Sequence, residues 1–318
     1  MAHRSPNQAA SIRAVLEKGR MSFKGFVKRA NRLLEPLEGR NDDGPFPRPV
    51  LIVGPPRSGT TLLYQLLVQQ FEVAYLSNIH HAVFGAPVVV ERLVPRRLRL
   101  PPNDQESRHG VTRGLWAPSE AANFWYRFFP LKPHAVQPGE VNPERGRRLS
   151  TAIAALSRAA RAPLVSKNVV CSVRVETIGA FVPEMRFVVM RRDYLEVATS
   201  ILAARKSAQG NYTDWWSVEP ANVEELRQLS PERQVVEQVR AVERAIDRAR
   251  KVLNGERFTD VNYAELAADP GTVLEHLARR LGLRPRRGAP LLPSAFPRRR
   301  RDPLDPQLAA RLAEYLGR

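Results

Sequence analysis

The segment from residue 50 to residue 70 constrains the fold more than any other part of this chain. Four consecutive apolar residues, Val50–Val53, predict a short buried strand, and the pattern of Thr60–Gln70 predicts a helix. The loop between them carries two glycines five positions apart, Gly54 and Gly59. A strand that passes through a glycine-rich loop into a helix is typical of a parallel sheet whose faces are both covered by helices.

Later segments repeat the alternation of strand and helix. Strands are predicted at residues 72–76, 163–166, 186–190 and 258–261, and helices at residues 172–181, 194–205, 231–253, 272–281 and 306–316. We therefore expect an α/β fold of three layers with a mainly parallel sheet. Residues 45–318 are predicted to form one domain, with a variable insertion at about residues 80–160 that is irregular and rich in proline up to residue 145.

Residues 1–44 predict a basic amphipathic helical extension followed by a linker rich in proline and glycine. The apolar stripe within residues 8–37 could lie on an anionic membrane surface, or it could pack on the body of the protein with its basic face in water. No apolar run approaches the roughly 20 residues that span a bilayer, and the N-terminus lacks the apolar core of a secretory signal. These features predict a cytoplasmic protein that is at most peripheral to a membrane.

The charge of the chain favours an anionic partner. Its 318 residues include 50 lysines and arginines against 32 aspartates and glutamates, a net charge of +18. Nucleotides, nucleic acids, acidic glycans and membrane surfaces all fit this charge, although an arginine-rich genome composition would explain part of it. The single cysteine, Cys171, excludes an internal disulfide and a cysteine-based metal cluster.

The loop at residues 54–61 predicts an anion site. A helix that begins directly after a strand presents several backbone N–H groups and the positive end of its dipole. Gly54 and Gly59 let the backbone approach an anion closely, and Arg57 can donate two parallel hydrogen bonds to an oxyanion. Hydroxyl donors are present at three further positions, Ser58, Thr60 and Thr61. A nucleotide-hydrolysing enzyme carries lysine where this chain has Thr60, which argues against a kinase.

This loop resembles a known motif. Residues 55–63, PPRSGTTLL, look like the 5′-phosphosulfate loop of the sulfotransferases that use 3′-phosphoadenosine-5′-phosphosulfate (PAPS). The resemblance implies a sulfotransferase domain with a P-loop NTPase-like architecture. It also implies that the donor is bound by Pro56, Arg57, Ser58, Gly59, Thr60 and Thr61.

A second stretch resembles the 3′-phosphate signature of the same family. In MRFVVMRRDYLEVATSIL, Arg192 follows a predicted strand, and Ser200 follows eight residues later in the next predicted helix. Asp193 can cap that helix, and Tyr194 stands where the family usually has proline. The resemblance implies that Arg192 and Ser200 bind the 3′-phosphate.

Two further residues take their roles from the resemblance. Lys167, in LVSKNVVCSV, would hold the sulfuryl group, although the proline that usually follows it is absent. Tyr263, in VNYAEL, would lie near the adenine. The arginines at 298–301 could add charge at the 3′-phosphate or form a solvated basic run.

A hydroxyl acceptor requires a general base. Glu120, in LWAPSEAANFW, is the first candidate because the aromatic residues around it would favour the neutral form of a carboxyl group. His80 and His81 are the next candidates, and His109 follows. In GNYTDWWSVEP, the aromatic residues Tyr212, Trp215 and Trp216 could stack on the acceptor or could fix their own loop.

The resemblance therefore implies a sulfotransferase that moves a sulfuryl group from PAPS, without a metal, to a hydroxyl or amine. The expected acceptor is a small molecule, glycan, glycolipid or other metabolite, and not a nucleic acid. Two alternatives remain at this point: a P-loop nucleotide or metabolite kinase, and a non-catalytic basic protein that binds membrane or nucleic acid.

Overall fold

A computed structural model of the chain describes residues 25, 27, 29–34, 44–94, 112–297 and 304–317. Its sheet has five strands: β1 Val50–Val53, β2 Ala74–Tyr75, β3 Leu164–Lys167, β4 Arg186–Arg191 and β5 Phe258–Asn262. The strands are parallel in the order β2-β3-β1-β4-β5. The central strand β1 pairs Leu51 with Ser166 on one side and with Phe187 on the other. The predicted parallel α/β fold is confirmed.

The helices lie on both faces and at one edge of this sheet. They are α1 Thr60–Gln70, α2 Asn78–Ala82, α3 Pro87–Leu93, α4 Ala122–Trp125, α5 Pro143–Ala160, α6 Val175–Phe181, α7 Tyr194–Gln209, α8 Val223–Leu226, α9 Pro231–Val252, α10 Tyr263–Ala268, α11 Pro270–Leu281 and α12 Pro306–Tyr315. Short 3₁₀ helices occur at Pro138–Glu140, Val169–Val173 and Gly255–Arg257. None of the helices in the described ranges is both long enough and apolar enough to cross a membrane.

The apolar side chains of β1 alternate between two cores. Leu51 and Val53 belong to a cluster with residues of α4, α5, α6 and α9, whereas Val50 and Ile52 belong to a cluster with residues of α1, α10 and α11. Because a parallel strand in the middle of a sheet is buried on both faces, its sequence is a continuous apolar run. A third cluster joins α7, α9 and α12.

The insertion contains more regular structure than its sequence predicts. Three short helices, α2, α3 and α4, lie within the stretch predicted to be irregular, and α5 follows them. These short helices are stabilised by tertiary packing, since segments of four to seven residues are too short to be stable on their own. In α4, Phe124 and Trp125 are both buried in the core.

Part of the N-terminal extension contacts the insertion. Residues 29–34 are helical, and the buried amide of Asn31 donates to the carbonyls of Val27 and Ala82 at 2.9 and 3.1 Å. Its side-chain oxygen accepts a hydrogen bond of 2.6 Å from the N–H of Gly85. A Cβ on Gly85 would lie 1.9 Å from the Asn31 carbonyl oxygen, so the two backbones are in close contact. Residues 8–24 and the arginines at 298–301 lie outside the described residues, and the membrane contact of residues 8–37 stays a prediction.

Candidate active site

The loop between β1 and α1 turns sharply at the carboxyl edge of the sheet. Arg57 has a φ of 68° and Gly59 a φ of 102°. Gly59 is the N-cap of α1 and has no side chain to cap the first turn, so the N–H groups of that turn remain available. Ser58 is buried, and its hydroxyl donates to the carbonyl of Pro55 at 2.7 Å. Ser58 therefore stabilises the loop, while Gly59, Thr60 and Thr61 line the cleft described below.

A buried serine from another segment fixes the start of this loop. The hydroxyl of Ser172 accepts a hydrogen bond from the N–H of Gly54 and donates one to the Gly54 carbonyl, both at 3.0 Å. The two residues are 118 positions apart, so no local pattern in the sequence indicates the contact.

The two predicted phosphate-binding segments are in contact. Nε of Arg57 donates a hydrogen bond of 2.9 Å to Oγ of Ser200, and a guanidinium nitrogen of Arg192 donates to the carbonyl of Arg57 at 3.1 Å. Asp193 caps α7 by accepting from the N–H of Glu196 at 3.0 Å. The cap fixes the start of the helix that carries Ser200.

Tyr263 lies between the loop and Arg192. Its ring packs against Gly59 so closely that a Cβ at that position would be 2.3 Å from the ring. The guanidinium of Arg192 lies over the same ring, 3.9 Å from its centroid. Nε of Arg192 also donates to the carboxylate of Glu196 at 2.8 Å. Cation–π contact and ion pair together hold the Arg192 side chain at the edge of the cleft.

The neighbouring Arg191 has a different environment. It forms ion pairs with three carboxylates, those of Glu243, Asp247 and Asp260. Arg191 is therefore held by three carboxylates at a partly exposed position, whereas Arg192 lines the cleft.

Glu120 and Lys167 form an ion pair. The other carboxylate oxygen of Glu120 accepts from the N–H of Val169 at 3.3 Å, and the amide of Asn168 donates to the Glu120 carbonyl at 3.1 Å. Sequence reasoning expects apolar surroundings for this carboxylate. That expectation is wrong, because the aromatic side chains of α4 turn into the core and donors from the end of β3 hold Glu120 instead. The next residue, Ala121, has a φ of 44°, a left-handed conformation that alanine rarely adopts.

The candidate histidines differ in their access to the cleft. His80 is buried, and its Nδ1 accepts from the N–H of Ser77 at 3.1 Å, so it caps α2. His81 lines the cleft, and burial lowers the pKa of its imidazole. Its Nε2 lies 3.4 Å from the amide nitrogen of Asn123, and its Nδ1 is buried. His109 lies outside the described residues.

One cleft of about 710 Å³ brings most of these residues together. Of the residues named from the sequence, its lining includes Pro56, Arg57, Gly59, Thr60, Thr61, Glu120, Lys167, Arg192 and Tyr263. Ser58 and Ser200 are not part of this lining, and Ser200 reaches it through its hydrogen bond with Arg57. Sequence reasoning missed several lining residues, among them Asn78, Ser119, Ser217, Phe296 and Pro297. Phe296 precedes the basic run, but no periodic pattern indicates that it returns to the cleft.

The cleft is cationic. Three positive side chains, Arg57, Lys167 and Arg192, line it together with the carboxylate of Glu120. Positive groups that line a concave surface raise the local concentration of an anionic ligand. In the described ranges, no group of three or more histidine, cysteine, aspartate or glutamate side chains could hold a metal ion.

The two tryptophans after α7 have different positions. Trp215 is flanked by the guanidinium groups of Arg205 and Arg227, at 5.2 and 5.6 Å from its ring centroid. Trp216 lines the cleft. The sequence left the roles of these two tryptophans open. In the structure Trp215 packs within its own loop and Trp216 lines the cleft.

The chain matches the family model for the sulfotransferase family over residues 49–286. It resembles the solved sulfotransferase STF9 of Mycobacterium avium with 18% identity and a TM-score of 0.47, over 86% of this chain and 69% of that one. The sulfotransferase STF1 of Mycobacterium tuberculosis H37Rv is 18% identical with a TM-score of 0.49, over 81% of this chain and 72% of that one. A sulfotransferase of Alicyclobacillus acidocaldarius is 16% identical with a TM-score of 0.44, over 86% of this chain and 92% of that one.

No curated protein matches the chain. The family match includes every strand of the sheet and each of the cationic residues that line the cleft. Since it covers well over half of the 318 residues, this chain belongs to the sulfotransferase family and is a sulfotransferase.

Proposed function

We propose that the enzyme transfers the sulfuryl group of PAPS to a hydroxyl, or less often an amine, of a glycan, glycolipid or other metabolite. The observation that carries this proposal is the contact of Arg57 with Ser200 and of Arg192 with the Arg57 carbonyl. PAPS carries phosphate at both the 5′ and 3′ positions of one nucleoside. Two proposed phosphate-binding segments that touch each other suit such a ligand better than a nucleotide such as ATP, whose phosphates are all attached at the 5′ position.

The residues of the cleft fit an anion with several charges. The first turn of α1 offers N–H groups and the positive end of the helix dipole at Gly59, Thr60 and Thr61. Arg57 adds a guanidinium at the crest of the same loop, which suits the 5′-phosphate that leaves in the reaction. Arg192 is proposed to bind the 3′-phosphate, with Ser200 beside it.

Tyr263 contacts both proposed phosphate-binding segments. Its ring packs against the guanidinium of Arg192 and against Gly59. A ring in this position fixes the distance between the 5′ loop and the 3′ arginine. We propose that Tyr263 contributes to donor binding mainly through Arg192, and that the adenine lies beside it toward Phe296, which also lines the cleft.

Glu120 is the proposed general base. It is in direct contact with Lys167, the proposed ligand of the sulfuryl group. A base in this position is adjacent to the acceptor oxygen at the moment of attack. His81 is less suited to this role, because its Nδ1 is buried and its Nε2 faces Asn123.

In the proposed reaction, the acceptor oxygen forms a bond to sulfur while the bond between sulfur and the bridging phosphate oxygen breaks. Glu120 takes the proton of the acceptor hydroxyl, and the electron pair of the broken bond leaves with adenosine 3′,5′-bisphosphate. Lys167 and Arg57 stabilise the charge that develops on the sulfuryl oxygens and on the leaving phosphate.

The test is calorimetric titration of the enzyme with adenosine 3′,5′-bisphosphate and with ATP. We expect the bisphosphate to bind more tightly, and Arg192→Ala to lose most of that affinity. Arg191→Ala is the matched control, because it removes the same charge from the next position, where the arginine is bound by carboxylates. Equal affinity for ATP would contradict the proposed recognition of a 3′-phosphate. Binding that disappears in moderate salt, with no preference for the bisphosphate, would indicate a non-specific charge interaction and would contradict the proposed donor site.

A further inference from the structure

Residues 215–218 form a turn that contributes part of the cleft wall. It follows α7 and precedes α9, and Trp216 and Ser217 both line the cleft. Ser217 has a φ of 72°, a conformation that residues with a side chain rarely adopt. Such a conformation persists only where surrounding contacts impose it, and it is concentrated at functional sites.

The contacts that impose this conformation come from a buried glutamine of α9. Nε2 of Gln238 donates to the carbonyl of Trp216 at 3.0 Å and to the carbonyl of Val218 at 2.7 Å. These two carbonyls lie on either side of Ser217. The indole N–H of Trp215 also donates to the Val218 carbonyl at 3.2 Å. Trp215 and Gln238 thus hold the turn from behind, while Trp216 and Ser217 face the cleft.

The end of the turn is attached to the insertion, which also carries Glu120. Val218 belongs to the same apolar cluster as Ala121 and Phe124. The N–H of Glu219 donates to Nδ1 of His134 at 2.9 Å, and the carboxylate of Glu219 forms an ion pair of 2.7 Å with Lys132. All of these partners lie within the insertion.

The two rings proposed for the adenine site pack against a different apolar cluster from that of Trp216. Tyr263 and Phe296 pack against the cluster formed with α1 and α11. Trp216 packs against the cluster of α7, α9 and α12. The turn therefore lies apart from the proposed adenine site, and it lines the same cleft as Glu120.

We propose that Trp216 and Ser217 bind the acceptor, and that the acceptor carries a ring whose apolar face stacks on the indole of Trp216. The C–H face of a sugar ring and the face of a phenol share this chemistry. Ser217 donates or accepts a hydrogen bond at a polar substituent of the ring. Gln238 is a positioning residue that acts through the two carbonyls of the turn. This inference rests on the proposed function, because it takes Glu120 as the base.

The experiment measures the binding of small probes to the enzyme loaded with adenosine 3′,5′-bisphosphate, by saturation-transfer NMR titration. The probes are phenol, methyl β-D-glucopyranoside and, as a six-carbon alcohol without a ring, 1-hexanol. We expect at least one ring probe to bind the wild type, with an affinity that falls about tenfold in Trp216→Ala because an aromatic stacking contact is lost. Tyr212→Ala, a change of a half-buried aromatic residue of the same loop that lies outside the turn and outside the cleft lining, should retain far more of the affinity. Neither ring probe binding the wild type, or equal binding by Trp216→Ala, would overturn the proposal.

The positioning role of Gln238 has its own control on the same helix. Gln238→Met removes both donors and keeps the volume, and we expect it to weaken ring-probe binding while bisphosphate affinity is unchanged. Arg244→Met replaces an exposed side chain of the same helix that pairs with Glu237, so it should leave ring-probe binding intact. If Gln238→Met does not fold, Ser217→Ala replaces it, since this variant keeps the turn and loses only the hydroxyl. Ring-probe binding by Ser217→Ala equal to the wild type would remove Ser217 from the site.

Failure of this inference can be told apart from failure of the proposed function. Bisphosphate that binds while ring probes do not would overturn the acceptor proposal alone. Bisphosphate that fails to bind would overturn the proposed donor, and the probe titration is then repeated without it to test the acceptor surface by itself.

Discussion

Nε of Arg57 donates a hydrogen bond of 2.9 Å to Oγ of Ser200, a residue 143 positions later in the chain. Arg57 lies at the crest of the loop before α1, and Ser200 lies on the second turn of α7. Strands β1 and β4, which precede these two segments, are neighbours in the sheet. The carboxyl ends of adjacent parallel strands lie at one edge, and the contact joins the two proposed phosphate sites there.

Ser200→Ala should weaken binding of adenosine 3′,5′-bisphosphate about tenfold. The hydroxyl is lost both as a partner of Arg57 and as a donor to the phosphate, and hydrogen bonds to charged groups contribute about 1.5–3 kcal/mol. Calorimetric titration measures the change. Ser207→Ala, on the exposed part of the same helix, is the control and should bind as the wild type does. Unchanged affinity in Ser200→Ala would contradict the assignment of α7 to the 3′-phosphate.

Tyr263→Leu should weaken bisphosphate binding about three- to fivefold, because Arg192 loses the ring on which it lies, and an exposed cation–π contact contributes about 0.5–1 kcal/mol. Tyr263→Phe keeps the ring and should bind almost as the wild type does. If Tyr263→Phe proved as weak as Tyr263→Leu, the hydroxyl and not the ring would be the contributing group.

Glu120→Gln should lower the rate of sulfuryl transfer about 10²–10⁴-fold, because the amide cannot accept the acceptor proton. Bisphosphate affinity should stay within a small factor, since Glu120 is proposed to contact the acceptor and not the nucleotide. Steady-state kinetics with PAPS and an accepted substrate gives the rate. Glu225→Gln, an exposed carboxylate on α8, serves as the control. Full activity of Glu120→Gln would contradict its assignment as the base and would make His81 the next candidate.

Gly59→Ala should destabilise the protein more than Gly210→Ala does. Both glycines have positive φ angles, 102° and 79°, and an alanine at such a position costs roughly 1–2 kcal/mol. Gly210 has open space for a Cβ, whereas a Cβ at Gly59 would meet the ring of Tyr263 at 2.3 Å. Urea titration gives the free energy of unfolding of each variant. The difference between Gly59→Ala and Gly210→Ala measures the cost of the contact with the Tyr263 ring. Bisphosphate binding should be lost only in Gly59→Ala.

The free energy of unfolding should decrease as the pH falls below about 6.5, the ordinary pKa of histidine. Burial lowers the pKa of His134 and of His81 in the folded protein. The unfolded chain therefore binds protons at a higher pH than the folded chain, and acidification favours unfolding. Protonation of His134 at Nδ1 would also remove the acceptor of the Glu219 N–H.

His134→Asn tests this account, because the asparagine oxygen can accept the same hydrogen bond and does not titrate. Its urea midpoint should vary less between pH 7 and pH 5 than that of the wild type. His276→Asn, at an exposed position of α11, should keep the wild-type slope. Parallel slopes for all three proteins would assign the pH dependence to other groups.

The sequence by itself determined the features that depend on neighbouring residues. The apolar runs predicted the strands, which are confirmed; the loop between Val53 and Thr60 and the spacing of Arg192 and Ser200 predicted two anion sites, which stay predictions. Strand propensity, glycine conformation and helix capping act over a few residues, so these patterns are visible in a linear chain.

Only the tertiary structure decided which residues meet. Glu120 pairs with Lys167 across 47 positions, Ser172 holds Gly54 across 118, and Arg191 is bound by carboxylates while Arg192 faces the cleft. The same is true of the division between the two adjacent tryptophans. Each outcome depends on which face of an element is covered by another, and that is fixed when the strands assemble in their sheet order rather than by the local sequence.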